Sequence, residues 1–165
     1  MGGIVRRRLV RRGAAELLLA AEALLLLAFF RACLLVVPVY RIIRTITRGP
    51  AAEQTNHETG AAETAPEAMS DAERAAEEQT IEIARRVRWA IEAVARHSPI
   101  AFVCFPQTLA GYTMLRRRGV QSTMVYGVAR SPASRLTAHT WLMVGDKVVL
   151  GGEGSAQFTP VERWR

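Results

Sequence analysis

The period of the apolar residues changes once along this chain, and that change limits the folds open to it. Between residues 70 and 98 the side chains Ile83, Val87, Ala90, Ile91 and Val94 recur every three or four positions, a spacing that gathers them on one face of a helix. From Val120 onward the pattern alternates. Met124, Tyr126 and Val128 fall on one side of a strand, and Val125, Gly127 and Ala129 on the other. Helices that precede strands, rather than interleaving with them, predict an α+β protein in which helices pack on an antiparallel sheet.

The element boundaries follow from local chemistry. Ser70 and Glu73 stand three apart ahead of the apolar run, the arrangement of a capping box, and acids crowd the first turns. The helix they open ends before Pro99, since the residue preceding a proline disfavours helical geometry. Trp89 extends its buried face, and His97, in the last turn, is placed to satisfy a terminal carbonyl. A second, shorter helix runs from Pro106, which sets its start, to the arginines at 116–118, with Gly119 ending it. Those arginines read as a solvated helix end. "SPASRLT" is a loop, and residues 138–151 form two strands joined at Gly145-Asp146. The tail "GGEGSAQFTPVERWR" is a glycine-rich stretch with aromatic anchors at Phe158 and Trp164.

Charge divides the same chain into three segments. Residues 1–50 carry nine arginines against Glu16 and Glu22, residues 51–82 nine acids against Arg74, and residues 83–165 twelve basic residues against four acids. The expected organisation is a Leu/Arg-rich helical extension over 1–50, a flexible acidic linker over 51–70 that includes an inert His57, and a folded domain over 71–165. Glu16, Glu22 and Arg31 interrupt the leucine-rich start, so no uncharged run approaches the ~20 residues of a membrane span. A secretory signal fits as poorly. Two readings of the extension stay open: helices packed on the domain or on a partner protein, and an interfacial helix whose arginines face anionic lipid. Two cysteines, Cys33 and Cys104, make no disulfide framework, which predicts a cytoplasmic protein, with membrane association as the alternative. The arginines come without a nucleic-acid motif, and the three histidines and two cysteines share no ligand spacing, so neither nucleic acid, metal nor any other cofactor is expected.

The residues with chemistry to offer are Cys104 and His139. A cysteine at a helix start feels the positive end of the dipole and unsatisfied amides, which favour a thiolate and can hold an oxyanion. The alternative is a small apolar residue filling a core. His139 opens a strand, with Trp141 and Met143 on its face, as a general base or as a core histidine. A third group should orient the imidazole. Asp146 lies at the hairpin tip, too far along the strand. Glu153 returns opposite residue 139 if the hairpin loop is three residues, or opposite 138 if it is two.

The segments "CFPQTLAGYTMLRRRGV", "YGVAR", "AHTWLMVGDKVVLGG" and "FTPVERW" resemble the leader peptidases of lasso-peptide biosynthesis, cysteine proteases of the transglutaminase-like superfamily. The resemblance covers residues 80–165, and more loosely the helical start. It implies a papain-like, transglutaminase-like domain with Cys104 as nucleophile and His139 as the histidine of a Cys-His-Asp triad. The usual acid falls at Gly151 or Gly152 in this chain, with Glu153 just beyond. It further implies cleavage of a ribosomally made precursor peptide between leader and core through a Cys104 acyl-enzyme, before a separate ATP-dependent cyclase closes the macrolactam. Some members carry a winged-helix leader-binding domain, and residues 1–79 do not resemble one. A separate leader-binding protein is the implied partner, without which activity should be feeble. An acyltransferase on the same scaffold, and a catalytically inactive partner-binding or membrane-associated protein, are the alternatives.

Overall fold

The computed structural model describes residues 2–38, 41, 70–98, 103–130 and 136–165. The linker reading of residues 51–69, His57 with it, and most of the loop before Leu136 lie outside the described residues. Three helices precede four strands: α1 (Gly2–Val36), α2 (Asp71–His97), α3 (Cys104–Arg117), β1 (Thr123–Arg130), β2 (Leu136–Val144), β3 (Lys147–Leu150) and β4 (Thr159–Trp164), with a 3-10 turn at Ser155–Gln157. The strands form one antiparallel sheet in the order β3-β2-β1-β4. The expected α+β architecture is present.

Helix α2 starts and stops where its sequence directs. The Ser70 side chain accepts from the Glu73 amide, and Glu73 Oε2 accepts from the Ser70 amide and the Ser70 hydroxyl, each at 2.8 Å; those two bonds to the carboxylate hold it below its usual range. At the other end, the His97 ring meets the Ala93 carbonyl at 2.8 Å. Ala84, Val87, Ala90 and Ile91 form the buried face. Trp89 does not extend it. At two positions from Val87 it points away from that face and is 46% exposed.

Helix α1 supplies the core with Leu19, Ala23, Leu27 and Phe30, every third or fourth residue, packed against α2 and α3. Glu22, on the edge of that stripe, pairs with Arg118 at 2.6 Å and Arg117 at 3.3 Å. These two arginines therefore tie the end of α3 to α1 rather than forming a purely solvated terminus. The Arg118 and Arg117 guanidinium groups also hold the Glu22 carboxyl below its usual range, against a partial burial that acts the other way.

The inner face of the sheet carries Met124, Thr140, Leu142, Val144 and Leu150 against α3. Gly111 lets the helix approach: a Cβ there would lie 2.9 Å from Leu150 and 3.1 Å from Leu142. The hairpin of β2 and β3 turns at Gly145-Asp146 as expected, with Val144 opposite Lys147. Strand β4 was not foreseen in the glycine-rich tail. Its burial pattern shows no alternation and it contains Pro160, tolerated because β4 is an edge strand. Since β3 and β4 occupy opposite edges, residues 151–158 cross the sheet, and Phe158 on that crossing lies against the outer face.

Candidate active site

Helix α3 opens at Cys104, two residues before Pro106. Cys104 is therefore the first helical residue rather than the one preceding the helix, and Pro106 sits within the first turn, where its missing N–H has no intrahelical acceptor to lose. Val103 provides no side-chain cap. The amides of Cys104 and Phe105 belong to that first turn and point out of the helix beside a half-buried thiol.

One turn on, Thr108 fastens this end of the helix to β2. Its hydroxyl donates to the Cys104 carbonyl at 2.9 Å and lies 3.0 Å from the Thr140 hydroxyl and 3.3 Å from the Thr140 carbonyl. Both threonines are 1% exposed, so these bonds form away from competing water. Thr140 is the neighbour of His139. The cysteine and the histidine are thus carried by two elements locked together within one residue of one of them and one helical turn of the other.

His139 lies on the opposite face of β2 from Thr140, as strand alternation requires. Its ring stacks on Trp141 at 6.1 Å and tilts against Phe158 at 5.1 Å. Its register partner on β1 is Gly127, which leaves room for the Trp141 ring; a Cβ there would lie 2.8 Å from it. Nε2 is 2.7 Å from the Gly151 carbonyl oxygen. A carbonyl only accepts, so Nε2 carries the hydrogen, and in the neutral imidazole the lone pair of a base is then on Nδ1.

Among the described residues, Glu153 makes no hydrogen bond to this ring. The two-residue turn alone would set residue 153 opposite 138, and the bulge between Leu142 and Met143 moves the register by one, toward 139, but pairing stops at Leu142 with Leu150, before Glu153 is reached. Gly151 then turns the chain at φ +70°, and Glu153 is exposed in the turn beyond. Gly151 is required there on two counts: its positive φ, and the 2.8 Å separation that a Cβ would have from the Thr140 carbonyl. Among the described residues, no hydrogen bond joins the Cys104 thiol to His139, and no group of three His, Cys, Asp or Glu side chains is gathered as a metal site.

Residues 25–163 match the transglutaminase-like superfamily. The chain belongs to this superfamily. The match spans most of its length, from within α1 to the end of β4, and includes Cys104 and His139. Transglutaminase-like proteins are commonly cysteine peptidases or transglutaminases, which act through acyl transfer. No curated protein and no solved structure gives a match. Within this transglutaminase-like domain, sequence reasoning missed Thr108 and Thr140; it marked Phe158 only as an aromatic anchor, and Gly151 only as one of two positions at which the resemblance lacks its acid.

Proposed function

We propose that the protein is the leader peptidase of a lasso-peptide system, with Cys104 as nucleophile and His139 as general base. The observation that carries the reading is the placement of Cys104 at the uncapped first turn of α3, fastened through Thr108 to the residue beside His139 in a transglutaminase-like domain.

In the proposed reaction, Nδ1 of His139 takes the Cys104 proton and the thiolate attacks the carbonyl carbon at the leader–core junction. The amides at the start of α3 hold the oxyanion. The C–N bond breaks as the imidazolium gives its proton to the departing core amine, leaving the leader as a thioester on Cys104. Water, losing a proton to His139, hydrolyses the thioester and restores the thiol. Gly151 fixes the histidine tautomer throughout. The thiol and imidazole are not hydrogen-bonded in the structure, and His139 lies on the face of β2 turned away from the Thr140 contact with α3, so the proposed proton transfer needs a rearrangement that brings the ring to Cys104 when substrate is seated. A separate leader-binding protein that delivers the precursor peptide would drive that rearrangement, and the freed core would pass to the ATP-dependent cyclase.

A partner-binding protein without catalysis is the competing reading, favoured by two observations: His139 lies on the opposite face of β2 from the α3 contact, and its ring is held by a carbonyl, which stabilises an imidazolium less than a carboxylate does. Purified protein incubated with precursor peptide and the leader-binding protein, followed by mass spectrometry, separates the two. The expected result is a single cut that frees the core, with Cys104→Ala and His139→Ala each at least ~1,000-fold slower. Cleavage retained in Cys104→Ala removes the nucleophile assignment, and no cleavage by the wild type favours the competing reading.

A further inference from the structure

Helix α1 is apolar on both faces, and only one of them is covered. Leu17, Leu18, Leu25, Phe29, Leu35 and Val36 are each more than half exposed, and helical spacing sets them along one side. From residue 17 to 36 that stripe extends about 29 Å at ~1.5 Å per residue. The charged residues within it lie off the stripe: Glu22 is turned to Arg117 and Arg118, and Arg31 is half-buried. An uninterrupted apolar surface of this length on a folded domain marks a contact with something else.

The charge around the stripe identifies what covers it. Arginines 6, 7, 8, 11 and 12 precede it along α1. A second copy packed in parallel on the stripe would bring the two copies of this cluster together, and like charges would oppose the pairing. An anionic surface complements that charge. Beside Leu18 there is also a groove of about 280 Å³ between α1 and α2, lined by Glu22, Arg86, Val87 and Arg118. Arg118 is engaged by Glu22, whereas Arg86 has no hydrogen bond or ion pair among the described residues. A cation with no protein partner, in a groove that continues an apolar stripe, matches the order of a phospholipid: headgroup phosphate, then acyl chain.

We propose that the outer face of α1 seats the protein on an anionic phospholipid bilayer, with Arg86 receiving a lipid phosphate. Gly13–Val36 is long and apolar enough to span a membrane, but its inner face is occupied by α2 and α3. The helix therefore lies along the interface rather than across it. Seating of this kind is independent of the chemistry at Cys104.

Cosedimentation of the full-length protein with vesicles of phosphatidylglycerol and phosphatidylcholine, and with phosphatidylcholine alone, tests this. Partition onto the anionic vesicles should be at least ~10-fold stronger, should weaken as salt is raised, and should be indifferent to millimolar inorganic phosphate. Leu18→Glu/Leu25→Glu alters two side chains already more than 70% exposed and should keep its melting temperature while losing binding about 10-fold or more. Arg86→Gln should lose a smaller part, about 3-fold, on anionic vesicles only. Equal uptake of the double variant and the wild type would overturn the proposal. So would a wild type that ignores vesicles, whether it forms a dimer dispersed by Leu18→Glu/Leu25→Glu or binds another protein through the same stripe.

Discussion

At His139 the nitrogen that a triad acid would engage faces a peptide carbonyl, and this shifts the burden of orientation from a side chain to a glycine. Gly151→Ala should destabilise the fold by about 1–3 kcal/mol, since it strains a positive φ and crowds the Thr140 carbonyl. Denaturant unfolding checks the stability, and peptide cleavage should fall with it by more than the stability loss explains. Glu153→Ala should leave both unchanged, because that side chain is exposed beyond the turn. Nitrogen chemical shifts of the His139 ring should report the Nε2–H tautomer in the wild type and a mixture in Gly151→Ala. Cys104 and His139 were legible in the sequence as residue types at telling positions. The carbonyl was not, since a backbone acceptor has no letter and the register that delivers it depends on a bulge within four residues of strand.

Among the elements, two hydroxyls link α3 to β2 and one carboxylate links α1 to the end of α3, each beside buried apolar contacts. Thr108→Val removes the link to Thr140 and leaves a buried hydroxyl without its partner, a loss of about 1–3 kcal/mol. Glu22→Gln should cost about 1 kcal/mol or less, because its arginine partners are partly solvated. The pH dependence of that pair has a definite sign. The folded state lowers the Glu22 pKa, so its contribution is complete above the ordinary carboxylate range and is lost as pH falls through the depressed value. Thermal melts of wild type and Glu22→Gln should therefore differ at neutral pH and converge in strong acid. Helices α2 and α3 and the hairpin were legible because each buries one periodic face. Strand β4 was hidden because an exposed edge strand with a proline has no period to read.

For the molecule as a whole, α1 counts with the domain rather than beside it. Leu19, Leu27 and Phe30 each bury a side chain worth roughly 1.5–3 kcal/mol, a sum comparable with the ~5–15 kcal/mol that keeps a domain folded. Deleting residues 1–37 should leave a chain that lacks a cooperative thermal transition by circular dichroism, and a truncated protein that melts like the wild type would contradict this. Composition showed that the start of the chain is helical and apolar. It did not show that one face belongs to the core, because a helix that is apolar all round has no preferred side until its neighbours are placed. The central claim, that Cys104 attacks a peptide carbonyl, is tested most directly by quenching the reaction with precursor and leader-binding protein in acid and mapping the intact thioester. The account predicts the leader segment attached to the Cys104 peptide, absent in Cys104→Ala. Complete cleavage by that variant, or an adduct on Cys33 instead, would contradict it.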